Sequence, residues 1–108
     1  MTKIFTAKEF FDYLLSFSTI YIWEGGDGNN GVFVRVPSKN LEIIKRKNDF
    51  AIWGTVHNEE AGVQQGGFVL TGNVFECKIL ENGRRANIEV RSDCASRAMN
   101  LEAVNIRM

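Results

Sequence analysis

Two turn dipeptides, Gly72-Asn73 and Asn82-Gly83, punctuate a stretch of alternating apolar and polar residues, and they constrain the fold of this chain more than any other feature. Such dipeptides supply the backbone conformation that two-residue hairpin turns need. The Asn82-Gly83 turn sets Ile79 against Ala86, Cys77 against Ile88 and Phe75 against Val90. The Gly72-Asn73 turn sets Leu70 against Phe75 and Phe68 against Cys77. Every one of these residues is apolar, and strand side chains alternate faces, so both turns select the same buried side. The expectation is a three-stranded antiparallel meander over 67–91. On its wet side Glu76 would face Glu89, with Lys78 and Arg91 diagonal to them in a surface charge lattice.

A helix at the N-terminus is announced by its cap. Thr6 followed by Glu9 is a capping box, and Phe5 with Phe10 is the hydrophobic staple of the same turn. Phe10, Phe11, Leu14, Leu15 and Phe17 recur at helical spacing opposite a polar face, so the helix must lie on an apolar layer. Further strands are expected at 19–24 and 32–36, joined by the Gly-rich segment 25–31, and at 50–57, all rich in β-branched and aromatic residues. Segment 38–48 reads as a short helix capped by Ser38, with a strand around Leu41 to Ile44 as the alternative. Segment 92–99 reads as a helical turn. Residues 101–108 read as a last strand with Val104, Ile106 and Met108 on its apolar side. The fold class that follows is α+β: an N-terminal helix packed on a strongly twisted, mainly antiparallel sheet of about six strands, curled toward a half-barrel, with residues 1–108 as a single domain.

At 108 residues the chain buries about two thirds of its unfolded surface, enough for one core without staples. Thirteen basic and thirteen acidic residues leave a formal net charge of zero. Nucleic-acid and anionic-membrane binders draw affinity from a basic excess, so zero charge disfavours both. The two cysteines, Cys77 and Cys94, lack the spacing of a zinc site or a disulfide framework. With no signal-peptide pattern and no apolar run of membrane-spanning length, the expected location is the cytoplasm.

Candidate sites are few. Gly26, Gly28 and Gly31 spell a G-x-G-x-x-G pattern, but a strand follows where dinucleotide binding needs a helix N-terminus. Asp27 and Asn29 suggest calcium, yet the glycine and glutamate such a loop requires fall on Val32 and Ser38. The segment reads first as a mobile hairpin loop, and Asp27, Asn29 and Asn30 are its candidate partner contacts. If the strands beside it form a hairpin, Trp23 stands across from Phe33 and Tyr21 across from Arg35 on the face opposite Ile20 and Ile22. Trp53 joins them if its strand is a neighbour. If the sheet curls, this second face is core as well; otherwise it binds, since Tyr, Trp and Arg dominate binding hot spots and aromatic rings also stack on bases. Arg35 and Lys45-Arg46-Lys47 would be the phosphate contacts of that second use. Catalysis has little to work with: His57 is the single histidine, Cys77 faces the core, and Cys94 follows Asp93, whose charge disfavours a thiolate. The expectation is a non-catalytic binding module without metal or cofactor. It would act through a protein partner or a second copy of itself. A single-stranded nucleic-acid platform is the alternative, and a small-ligand domain the weaker one.

Overall fold

The computed structural model describes residues 1–24, 32–58, 63–95 and 98–105. In chain order these form β1 (Thr2–Thr6), α1 (Ala7–Leu15), β2 (Thr19–Glu24), β3 (Val32–Pro37), a short 3-10 turn (Ser38–Asn40), β4 (Leu41–Lys45), β5 (Phe50–Asn58), β6 (Val63–Gly72), β7 (Val74–Asn82), β8 (Arg85–Ser92) and β9 (Met99–Val104). The fold is α+β, and every strand pairing is antiparallel. A large sheet runs β1-β7-β8-β9-β2-β3, and a small one runs β4-β5-β6.

The helix forms where its cap places it. The Thr6 hydroxyl accepts from the Glu9 amide at 3.2 Å, and the Glu9 carboxylate accepts from the Thr6 amide at 2.9 Å. The Phe5 and Phe10 rings lie 5.7 Å apart as the staple requires. Ala7, Phe10 and Leu14 form the buried face, and Phe10 stacks on Phe75 of the large sheet at 5.2 Å. The helix thereby covers one side of the large sheet near β1 and β7, and the small sheet covers the same side elsewhere. Ile20, Ile22, Val36, Phe75, Cys77, Ile88 and Leu101 of the large sheet share one core with Leu41, Ile52, Phe68 and Leu70 of the small sheet and with the helix.

The expected meander is not formed. β6 pairs with β5, through Ile52 with Leu70 and Gly54 with Phe68, whereas β7 pairs with β1 and β8. Gly72 and Asn73 turn the chain from the small sheet into the large one. Hydrogen bonding gives the reason. The amides of Asn73 and Val74 donate to the Asp93 carboxylate at 2.9 and 3.3 Å, and the Asn73 carbonyl accepts from Ala7 at 3.0 Å, so neither strand turns back on its neighbour. Phe68 and Phe75 still share the core, but from opposite walls.

The second turn does make a hairpin, with its reversal one residue later than expected. Asn82 pairs with Arg85, so Gly83 and Arg84 form the loop. Gly83 has φ +64°, and no described non-glycine residue has a positive φ, which is the pattern of a turn with glycine at its first central position. The register shifts by two: Ile79 faces Ile88, Cys77 faces Val90 and Phe75 faces Ser92. A two-residue shift conserves the buried face.

Three other expectations are corrected. Residues 41–45 form the strand β4, the alternative reading of this segment, rather than the favoured helix, because pairing with β5 buries Leu41 and half-buries Ile43. The last strand buries Leu101 and Ala103, the opposite phase to the one expected, since Leu101 pairs with Ile88 and Ala103 with Ala86; residues 106–108 lie outside the described set. Segment 92–99 holds a turn at Asp93 and Cys94 and no helix among its described residues. The sequence reading also missed β1, which pairs Phe5 with Phe75 and closes one edge of the large sheet.

Candidate functional site

The face of the large sheet opposite α1 and the small sheet positions the residues singled out in the sequence. β2 and β3 pair in the expected register, Ile20 with Val36, Ile22 with Val34, Tyr21 with Arg35 and Trp23 with Phe33. Alternation explains the division: Ile20, Ile22 and Val36 are fully buried, so the intervening positions belong to the outer face. Tyr21 is half-buried there and Arg35 is exposed. The side chains of Trp23 and Phe33, and the loop residues Asp27, Asn29 and Asn30, lie outside the described set.

The register extends this face into two transverse rows. One runs Leu80, Asn87, Glu102, Tyr21, Arg35 across β7, β8, β9, β2 and β3. The next runs Thr2, Lys78, Glu89, Asn100, Trp23, Phe33, starting on β1. Glu102 is fixed beside Tyr21 by an ion pair with Arg85 at 3.1 Å. Toward the middle of the sheet the rows border a cleft of ≈ 520 Å³, lined by Thr2, Lys78, Leu80, Asn87, Glu89 and Asn100. Aromatic positions therefore cluster at one end of a polar, open face.

Trp53 does not join them. Its strand β5 is the centre of the small sheet, where Trp53 stands between Glu42 and Val69. Ile52 and Gly54 on either side of it are buried toward the shared core, so Trp53 belongs to the small sheet's own outer face. There it borders a separate cleft of ≈ 570 Å³ with Ile44, Ala51 and Val69, and its indole Nε1 is buried without a hydrogen-bond partner. Ile44 and Val69 are 49% and 53% exposed. The sequence signal for this second face was the alternation of Leu41-Glu42-Ile43-Ile44, which a helix reading conceals.

Lys45 ends β4, and Arg46 and Lys47 lie in the connection to β5. The Arg46 guanidinium clasps the Asp49 carboxylate through two nitrogens, one at 2.6 Å, and the Arg46 amide donates to the Asp49 carbonyl. The basic segment and Trp53 thus sit on one sheet while Tyr21 and Arg35 sit on the other. They do not assemble into one aromatic and basic platform.

The reactive groups are placed as follows. Cys77 is fully buried, and desolvation pushes its thiol up to about 12. The Cys94 thiol is also raised, by desolvation first and then by the charges of Asp93 and Asp49. Both thiols are therefore held in the protonated, weakly nucleophilic form. His57 pairs with Gln64 in the β5–β6 register. Glu76 faces Arg91 and Lys78 faces Glu89, which corrects the expected Glu76–Glu89 pairing. Among the described residues no group of three or more His, Cys, Asp or Glu side chains gathers as a metal site would require. The described residues include no helix long and apolar enough to cross a membrane.

Comparison of the chain with protein-family models, with curated proteins and with solved structures finds no match.

Proposed function

We propose that this protein is a non-catalytic binding module that engages a protein partner through the β2–β3 end of the large sheet's outer face. One observation carries the reading: the register gathers Tyr21, Arg35, Trp23 and Phe33 at adjoining positions on the side away from the core. A strand whose core-side positions are apolar and whose outer-face positions are aromatic offers area that association would cover. Aromatic residues with one arginine are the composition of binding hot spots. The protonation of both thiols supports a binding rather than a nucleophilic role.

The test compares wild type with a Trp23→Ala, Phe33→Ala, Arg35→Glu variant. Each protein is immobilised as bait in extracts of cells that express it, and melting temperatures are measured in parallel. A hot-spot truncation costs about 2 kcal/mol or more. The expected outcome is loss of the captured partner at an unchanged cooperative melt. A variant that keeps every partner and loses only stability would show these positions to be packing residues, and the reading would fail.

A further inference from the structure

Four charged side chains on the outer face of β7 and β8 form a checkerboard. Glu76 stands opposite Arg91, and at the next outward position Lys78 stands opposite Glu89. All four are exposed and line a shallow cleft of ≈ 190 Å³. Opposite charges facing one another across strands stabilise a sheet by pairing. Among the described residues no ion pair joins them: the ion pairs there are Arg46–Asp49 and Arg85–Glu102. Exposed apolar side chains border the four. Ile4 of β1, 66% exposed, is the register partner of Glu76, while Val74 at 41% and Leu80 at 68% lie beyond Glu76 and Lys78 along β7.

We propose that this face of β1, β7 and β8 is where two copies of the chain associate about a two-fold axis. The charge pattern names the occupant. Consider a two-fold axis in the plane of the interface, parallel to the strands and midway between β7 and β8. It brings Glu76 of one copy over Arg91 of the other and Lys78 over Glu89. An axis perpendicular to the strands brings Glu76 over Lys78 and Arg91 over Glu89. Either way every carboxylate meets a cation and no like charges meet. A closed dimer uses the same patch on both subunits, so self-complementarity is the condition such a patch must satisfy. A polyanion or an anionic membrane demands a single sign of charge instead, and this patch sums to zero. Ile4, Val74 and Leu80 supply the apolar area, and the charges set orientation and exclude other partners. A strip three strands wide at about 4.8 Å per strand, running from Val74 to Leu80 at about 3.3 Å per residue, covers about 330 Å², less than the footprint of about 800 Å² per partner of a standard stable interface. The dimer is therefore reversible and concentration-dependent. This contact stands on residues other than those of the β2–β3 end and does not depend on that proposal.

Sedimentation equilibrium of the whole chain tests it, over about 10 to 500 µM protein and at about 0.02 and 0.5 M salt. The mass of wild type should rise from 12.2 kDa toward twice that value at low salt, and less at high salt. Two variants make the patch single-signed: Lys78→Glu with Arg91→Glu, and Glu76→Lys with Glu89→Lys. Each alone should remain a single chain, and an equimolar mixture should recover the doubled mass. Recovery on mixing cannot come from misfolding. Should either reversal abolish the cooperative melt, Glu76→Gln with Lys78→Gln takes its place and should weaken the dimer at least tenfold. Wild type that stays a single chain throughout, a reversed variant that dimerises like wild type, or a mixture of folded variants that recovers nothing would overturn the proposal. Partner capture through Trp23 and Phe33 is unaffected by any of these outcomes.

Discussion

Two glycines show how differently one residue type is used here. Gly72 has φ +152°, and a Cβ placed on it would lie 2.7 Å from the Asp93 carboxylate and 2.8 Å from the Ser92 Cβ. Gly83 has φ +64°, and a Cβ there would meet nothing within 4 Å. Alanine at position 83 therefore carries the backbone cost alone, about 1 kcal/mol. At position 72 the collision adds to the backbone cost, and it falls on the carboxylate that organises the corner. The expected loss for Gly72→Ala is about 2–3 kcal/mol, and urea unfolding of the two variants side by side measures the difference. Equal losses would mean that Gly72 is a simple turn residue. Both glycines were visible in the sequence as turn formers, but the collision partners of Gly72 come from a segment twenty residues later, as the Asn73–Asp93 spacing shows.

At the scale of elements, the β6–β7 corner holds three segments together. Asp93 accepts from the Asn73 and Val74 amides, the Asn73 side chain donates to the Asn48 carbonyl at 2.9 Å, and Asp49 clasps Arg46 in the β4–β5 connection. Hydrogen bonds from the Asn73 and Val74 amides hold the Asp93 carboxyl below its ordinary range, and the Arg46 guanidinium does the same for Asp49. A carboxyl whose folded pKa is depressed contributes stability above its unfolded value of about 3.9. That contribution disappears as pH falls through the folded value. Stability should thus be level above about pH 5 and fall on the acid side of about pH 4. Asp93→Asn should flatten the part of that decline that belongs to the corner and lower stability at neutral pH. Urea midpoints between pH 2 and pH 7 check this, within about those limits; an unchanged acid slope in the variant would remove Asp93 from the account. The helix α1 was fully legible in the sequence because its capping box and staple are local. β4 was not, because Leu41, Ile43 and Ile44 fit either period until β5 is laid beside them.

For the whole molecule, the order of pairing matters more than its amount. β1 pairs with β7, and β2 pairs with β9, so both ends of the large sheet's interior wait for distant segments. Closing such long loops costs entropy before any contact repays it. Refolding is therefore expected on a timescale of about milliseconds to seconds, and stopped-flow tryptophan fluorescence measures it. Microsecond refolding would contradict the observed strand order. The β2–β3 register, the outer-face positions of Tyr21 and Arg35 and the buried face of β7 and β8 could all be read from the chain, because adjacent strands joined by one turn leave only a few registers. The assignment of β6 and β7 to different sheets could not be read this way. Nor could the separation of Trp53 from the aromatic cluster or the facing of Glu76 with Arg91. Local sequence determines periodicity, caps and the residues able to reverse the chain, since these depend on backbone preferences over a few positions. Which strands become neighbours was decided by the tertiary structure, because Gly72-Asn73 permits both a hairpin and a corner, and the hydrogen bonds that the Ala7 amide donates to Asn73 and that the Asn73 amide donates to Asp93 select the corner.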